Sequence, residues 1–467
     1  MLEISPQGRE AHSAGVAGEG AKTNDLRSGV GLPGPVLARK ILIWVFAAFA
    51  VGFSVGPIRN YLRGGTTKDY PLWYNTGALV RAGQSPYYKD EHGEFPFMYP
   101  PGAAGLLAMI SPAGKLGMIA ILVLANSLAW FVCIVGPIYL LAGSIRGQHP
   151  FLYWVPSLCC IVFVWDTYLE GQVALFLSAC LIGMFICLRH RIWWGAGALL
   201  ALAAGVKGFP IFAIVYLVYR RYWKATGYAI VFLGMLLLSP IFFRGPSGAI
   251  ADLKTWSSGM GATYTPETIG QRKERSYTWQ NGSLISVTNR WLRPVVADHD
   301  DGRPPIYLNV ASLSFRQVNI VIGFEMLALC LLYVGVMPAA GRRTTWSDSL
   351  EAGMLLILIV LFSPLSFTYN NGWLMLPIAS VIYFILFLAR TKRERTMAGV
   401  WLGLCMVLML VGLPVPGFRL LRDGGNTFWA DMVILAELAW LLVLSRRAHV
   451  EVAEGSPPAG IKFAAPV

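Results

Sequence analysis

Charge is what this chain has least of: Asp, Glu, Lys and Arg make up 13% of its 467 residues, whereas 55% are hydrophobic. Soluble domains carry about 25% charged residues, so a water-soluble globular enzyme is excluded and a polytopic membrane protein is indicated. Cysteine is sparse, and the seven present (Cys133, Cys159, Cys160, Cys180, Cys187, Cys330 and Cys405) lie in apolar runs with no Cys-x-x-Cys spacing. That excludes a disulfide framework and a thiolate metal centre and leaves small buried hydrophobes. The six histidines are scattered without a His-x-x-x-His pair, so no metal site is expected. A P-loop, a Gly-x-Ser-x-Gly elbow and a dinucleotide fingerprint are all missing, and no internal repeat is evident.

The net charge of +13 would suit nucleic acid, but the basic residues cluster at the ends of apolar segments, where they orient a chain in the bilayer. Residues 1–38 are rich in Gly, Ala and Ser and are expected to be a disordered cytoplasmic tail. The first apolar run, Ile41 to Pro57, starts too far from the N-terminus for a secretory signal and is read as a span. A crossing needs about 20 apolar residues. The candidates are 41–58, 117–142, 150–165, 171–188, 192–208, 209–219, 226–243, 318–338, 350–364, 371–389, 396–413 and 428–445. The apolar segment 102–113 is too short to span and is assigned to the interface or a re-entrant turn. One membrane domain, 39–447, therefore carries two long outer loops, 59–116 and 244–316, and is followed by a cytoplasmic tail, 448–467.

With the N-terminus inside, the inner connections hold Arg146, Arg189 and Arg191, then Arg220, Arg221 and Lys224. Arg342 and Arg343 follow, then Arg390 to Arg395, then Arg446 and Arg447. The short outer connections 166–170 and 365–370 have no Lys or Arg, as the positive-inside rule requires. Only 28 residues separate Arg191 from Arg220, too few for two full crossings, yet both ends are basic. A hairpin of two short helices turning near Lys207-Gly208-Phe209-Pro210 reconciles these facts, since broken helices are tolerated where they line a polar cavity. A single crossing is the alternative and would put the two long loops on opposite sides.

Polar residues concentrate in the outer segments. The loop after the first span runs Asp69-Tyr70-Pro71-Leu72-Trp73-Tyr74 and ends at Phe97-Met98-Tyr99-Pro100-Pro101. A carboxylate placed among aromatic rings can take a proton from an attacking alcohol, while Tyr70, Trp73, Tyr74, Tyr87 and Tyr99 offer flat faces to sugar C–H groups and polar tips to their oxygens. The alternative is a solvated Asp69 beside an interfacial aromatic belt. Asp166, Glu170 and Gln172 at an outer turn could bind hydroxyls or cap a helix; Gln172 is the stronger functional candidate because a span has no structural need for its amide. Lys207 interrupts an apolar run, where a cation is costly and marks a site by default; contact with a lipid phosphate is set against snorkelling to the interface. Asn281 and Ser283 could bind sugar or cap a helix, and Arg290 could chelate phosphate as a fork. Tyr369 and Asn370 lie in Ser363–Asn371, which is richer in hydroxyls and amides than a loop needs. Glu325 and Glu437 are expected to be paired inside the bundle.

These residues are similar in kind and order to the motifs of glycosyltransferase family 87, which are polyprenol-phosphate-sugar-dependent enzymes of the GT-C superfamily. The resemblance rests on Asp69 and Tyr74; Gly83, Pro86 and Tyr87; Phe97–Pro101; Gly171-Gln172; Lys207-x-Phe209-Pro210; Asn281-x-Ser283-Leu284 with Arg290; and Ser363-Pro364-x-Ser366. It implies an all-α GT-C-type bundle of about twelve transmembrane helices with its active site on the extracytoplasmic face of the cell membrane and both termini cytoplasmic. The implied donor is a polyprenyl-phosphate mannose, the implied chemistry an inverting displacement with Asp69 as general base, and Lys207 and Arg290 would sit on the phosphate side. No nucleotide and no obligatory metal or other cofactor is implied. The chain departs from the family pattern in having Tyr369, Asn370 and Asn371 where histidines often follow Ser-Pro-x-Ser, Gly282 in place of a glutamine, and Ala174 in place of an asparagine. The expected function is transfer of one sugar to a lipid or glycan acceptor. A transporter or flippase, or a binding protein for a lipid-linked saccharide, is the competing class; a transporter would show repeated halves and midplane charges.

Overall fold

Backbone groups in hydrocarbon must satisfy one another, which favours helices. The computed structural model of this chain is helical throughout, apart from two isolated β-bridges among the described residues. Those residues are 35–91, 93–259, 263–270, 272–298, 304–411 and 418–453. The first helices are α1 (Pro35–Leu62), α2 (Tyr70–Arg81), α3 (Pro101–Ile110), α4 (Gly114–Ala142), α5 (Phe151–Cys159) and α6 (Ile161–Glu170). Next come α7 (Ala174–Arg189), α8 (Trp193–Val206), α9 (Ala213–Tyr219), α10 (Trp223–Leu237), α11 (Ile241–Gly259, interrupted at Gly245), α12 (Lys273–Ser276) and α13 (Leu284–Leu292). The chain ends with α14 (Phe315–Val336), α15 (Thr345–Phe362), α16 (Met375–Tyr383), α17 (Lys392–Val411), α18 (Arg419–Asp423) and α19 (Asn426–Ala453). Helices α1 and α19 thus reach into the segments expected to be tails; the remainder of those tails lies outside the described residues.

Six helical stretches among the described residues are long and apolar enough to cross a membrane, or up to eight if the bent pairs α5–α6 (52°) and α10–α11 (98°) are each one span. The count therefore differs from the twelve apolar segments of the sequence. Part of the reason is length: α7 has 16 residues and α8 has 14, which at 1.5 Å per residue reach only about 21–24 Å against a core of about 30 Å.

Contacts between helix ends fix how the bundle is threaded. Arg189 donates to the carbonyls of Tyr139 and Leu140, the rings of Trp193 and Tyr222 lie 6.0 Å apart, and Arg343 stacks over Tyr222. Arg220 donates to the Pro338 carbonyl, and Arg446 to the carbonyls of Gly335 and Met337. The ends of α4, α7, α9, α14 and α19 and the starts of α8, α10 and α15 therefore meet at one basic end of the bundle. Because Ile192 and Tyr222 share that end, the segment between them is a hairpin: the chain runs out in α8 and returns through a 3-10 turn at Phe209–Phe212 and α9. It then runs out again in α10, parallel to α8. Small residues permit this. A Cβ on Gly197 would lie 2.5 Å from that of Tyr228, and one on Gly205 would collide with Leu236, so the spacing Gly197-xxx-Ala201-xxx-Gly205 presses α8 onto α10 as small-xxx-small pairs do in membranes.

At the opposite end the two long outer segments interlock. Ser85 donates to Asp252 (2.6 Å), Arg244 to the Gly83 carbonyl (2.7 Å), Trp256 to the Met98 carbonyl (3.2 Å) and Arg272 to Glu94 (3.3 Å). Helices α2 and α3 cross closely at Gly77, where a Cβ would stand 2.5 Å from the Leu107 carbonyl oxygen. The segment 102–113, expected at the interface or re-entrant, is α3 plus a 3-10 turn that runs on into α4.

Acids within the bundle behave in three ways. Glu325 accepts from Thr288 Oγ1 at 2.7 Å, as a paired group should. Glu437 was expected to be paired but is fully buried with neither oxygen hydrogen-bonded among the described residues; periodicity shows that a position faces inward, not what it meets there. Glu351 is different again. It is fully buried and takes both Arg220 and Tyr216, with Arg220 Nε at 3.0 Å. Removing one member of such a pair leaves an uncompensated charge, so Glu351→Ala should lower unfolding stability in detergent by about 3–5 kcal/mol, read as a fall in the thermal midpoint.

Candidate active site

The site begins at a turn. Helix α6 ends at Gly171, whose left-handed φ of 70° reverses the chain and would strain any residue with a Cβ. The Tyr70 ring packs against it so closely that a Cβ there would lie 2.8 Å from the ring. Tyr70 Oη donates to the Tyr168 carbonyl and Trp73 Nε1 to that of Gly171, each at 2.8 Å, while the Asp69 N–H donates to the Glu170 carbonyl at 3.2 Å. The start of α2 is thereby fastened to the α6–α7 corner, with Asp69 directly beside Gln172.

Gln172 is the hub. It is buried; its Nε2 donates to Asp69 Oδ2, and its Oε1 accepts from Lys207 Nζ at 3.3 Å. The Tyr99 hydroxyl lies 3.3–3.4 Å from the same amide. From behind, Asn126 on α4 donates to the Gln172 carbonyl at 2.9 Å and holds its backbone. Lys207, at the C-terminal end of α8, also reaches the Tyr369 hydroxyl at 3.4 Å and lies over the rings of Tyr99, Phe209 and Tyr369 at 5.0–5.7 Å. No carboxylate lies within ion-pair distance of it among the described residues, so this cation is held by aromatic faces and dipoles.

Burial raises the Asp69 carboxyl above its ordinary value, and the neighbouring Glu170 carboxylate adds to the effect. Lys207, the Gln172 amide and Arg272 pull the other way. The result is a half-buried carboxylate of increased basicity beside a half-buried cation. Around it, Thr368 Oγ1 donates to Asp166 at 2.6 Å and Lys68 pairs with Glu170 at 3.5 Å. Asp166 and Glu170 are thus rim partners and do not cap α7, which has no side-chain cap.

The structure brings together Asp69, Tyr99, Gln172, Lys207 and Tyr369 from the residues singled out in the sequence. Tyr70, Trp73 and Tyr87 are buried scaffold: the first two are 1% exposed, and Tyr87 spends its hydroxyl on the Tyr99 carbonyl at 2.7 Å. Tyr74 lies on another face of α2, near Lys115. Asn370 is fully buried, and its amide has no hydrogen-bond partner among the described residues.

Asn281 and Ser283 close a clasp on the Ser363–Ser366 segment. Asn281 Nδ2 donates to the carbonyls of Ser276 and Pro364, and its Oδ1 accepts from the N–H groups of Ser283 and Ser366. Ser283 Oγ donates to the Pro364 carbonyl and accepts from Ser286 N–H as the cap of α13. Arg290 does not join Lys207. It is fully buried and turns Nη1 onto the carbonyls of Tyr277, Thr278 and Asn281. Asn126 and Arg272 went unnoticed in the sequence. An amide inside an apolar span was the available signal for Asn126; Arg272 gave none, because its neighbours come from the other loop.

A basic carboxylate, a cation without a carboxylate partner, and aromatic walls at the end of a lipid-facing bundle suit attack of a hydroxyl on a sugar whose leaving group is an anion. A sequence model of glycosyltransferase family 87 matches residues 97–313, which takes in Tyr99, Gln172 and Lys207 but neither Asp69 nor Tyr369. Over 437 residues the chain is 24% identical to the polyprenol-phosphate-mannose-dependent alpha-(1-2)-phosphatidylinositol pentamannoside mannosyltransferase of Mycobacterium tuberculosis (strain CDC 1551 / Oshkosh), covering 88% of this chain and 86% of that protein. The helical fold and these matches support reading the chain as a membrane glycosyltransferase. The resemblance to glycosyltransferase family 87 carried by the motifs is borne out.

The clasp yields a test of its own. Asn281→Ala strands buried partners on two segments, each at about 1–3 kcal/mol. The variant should lose thermal stability by several kcal/mol while any protein that remains folded keeps its affinity for a sugar-phosphate lipid, measured by binding in the same detergent.

Proposed function

We propose that the protein transfers one mannose from a polyprenyl-phosphate donor to an extracytoplasmic lipid or glycan acceptor, inverting the anomeric carbon. The observation that carries this reading is the Asp69–Gln172–Lys207 arrangement. An acceptor hydroxyl oxygen forms a bond to the anomeric carbon, its proton passes to Asp69, and the bond from that carbon to the phosphate oxygen breaks. The electron pair leaves on the polyprenyl phosphate. Lys207 stabilises the charge growing there, as a fixed cation does in a site with little water. With Arg290 Nη1 turned onto backbone carbonyls, the phosphate contact is assigned to Lys207, while Arg290 keeps the loop in place. Tyr99 and Tyr369 supply sugar-facing rings, and Asn370, buried with an unused amide, is a ligand-facing candidate if this segment shifts on binding.

The positive-inside rule supports placing the basic end of the bundle, and with it both termini, in the cytoplasm. The site then faces outward from the cell membrane. The relative from Mycobacterium tuberculosis supports mannose and a polyprenyl carrier through its name, and no cofactor is needed for the displacement.

The decisive experiment offers radiolabelled polyprenyl-phosphate mannose and a panel of lipid and glycan acceptors to purified protein and to Asp69→Asn. Wild-type transfer is expected, and the variant should lose about 10²–10⁴-fold in turnover with donor binding retained. Donor binding without transfer by either protein would favour a binding protein instead, and undiminished transfer in the variant would remove Asp69 from the mechanism.

The base must be ionised to act, and burial raises its pKa, so turnover should fall on the acid side at a pH above the ordinary carboxylate value of 3.8. Lys207 lowers that pKa by its charge. In Lys207→Gln the acid limb of the rate profile should therefore move to still higher pH, alongside a loss of turnover.

A further inference from the structure

A cavity of about 570 Å³ opens at the basic end of the bundle, far from Asp69, between the end of α9, the α14–α15 connection and α19. Four arginines line it: Arg220, Arg221, Arg342 and Arg446. Their charge is poorly balanced. Arg220 is neutralised by Glu351, and the adjacent Arg343 has its own partner in Asp348 at 2.7 Å. Arg221 and Arg342 are exposed and form no ion pair among the described residues. Arg446 donates only to the carbonyls of Gly335 and Met337, and its Nε is buried without a partner. The floor is Met337 and Pro338, both buried, and Tyr219 stands exposed at the rim.

We propose that this cavity binds the headgroup of an anionic glycerophospholipid. Three uncompensated guanidinium groups converge where membrane-crossing helices end. Basic pockets between helices at that level take phosphate headgroups, and the planar guanidinium can hold phosphate oxygens in pairs. The apolar floor accepts the glycerol and first methylenes, and Tyr219 suits the headgroup boundary as an amphipathic ring. A bound headgroup would tie the seven-residue α9 to α14 and α19. The source is a membrane lipid, not a free anion, because the cavity is part apolar and lies at the ends of the spans.

The test uses the full-length protein delipidated in neutral detergent, with bound lipid counted by native mass spectrometry and the thermal midpoint recorded in parallel. Phosphatidylglycerol should be retained and raise the midpoint; phosphatidylcholine and millimolar inorganic phosphate should not. Arg221→Gln with Arg342→Gln should weaken phosphatidylglycerol retention by about fivefold for each charge removed, while Arg393→Gln, an exposed site at the same end but outside the cavity, should leave it unchanged. In lipid-free detergent the double variant should melt with wild type, which separates lost binding from lost fold. Equal retention of phosphatidylcholine, equal protection by phosphate, or a double variant that binds like wild type would overturn the proposal. The two wild-type comparisons decide even if the variant unfolds.

Discussion

Hydrocarbon does not tolerate polar groups without partners, and most of this structure follows from that constraint. It makes the chain helical, sends basic residues to the helix ends, and requires each polar side chain that enters the bundle to be bound. Tyr216, Arg220 and Glu351 answer it as a buried triad, and Asn126 answers it by holding the Gln172 carbonyl. The exceptions therefore carry information. Among the described residues, Lys207 has no carboxylate partner and is held by rings and an amide, while the Asn370 amide and the Glu437 carboxylate have no hydrogen-bond partner; Lys207 and Asn370 lie at the end of the bundle where substrate would arrive.

The same constraint explains which site residues could be read from the sequence. A lysine or glutamine inside an apolar run is costly unless it has work to do, so Lys207 and Gln172 stood out, and Asp69 stood out by its aromatic setting. For Asn281 and Ser283 the sequence left sugar binding and helix capping open, and Ser283 caps α13; a motif records that a side chain is needed, not whether it faces a substrate or its own backbone, and the same holds for Arg290. In this fold they face backbone, clasping two loops far apart in sequence. The rings of Tyr70, Trp73 and Tyr87 mislead in the same way. Aromatic composition suggested sugar stacking, but two of the three polar tips are hydrogen-bonded to carbonyls across the α2–α6 corner.

The path of the chain was legible where charge was available. Basic residues at both ends of 192–219 indicated a hairpin, and the parallel run of α8 and α10 reproduces it. The number of full crossings was not legible. Hydropathy counts apolar residues but does not see where a helix stops, so α7, α8 and α9 were counted as spans although each is short. Nor could any local pattern show that the segments around Asp69 and Arg272 lock together, because that pairing joins residues some two hundred positions apart.

The Gln172 amide sits between an acid and a base that would otherwise be free to close on each other. Its nitrogen faces the carboxylate of Asp69 and its oxygen faces the ammonium of Lys207, an orientation fixed by the signs of the two charges. Such a dipole works as a spacer: it satisfies both ions without letting them merge into a salt bridge, which would quench the proposed proton acceptor and the proposed anion binder together. The two charges stay separate, with opposite poles set a side chain's width apart. A substrate entering between them would meet a standing electric field that already draws electrons toward Lys207, the way they move in the proposed reaction.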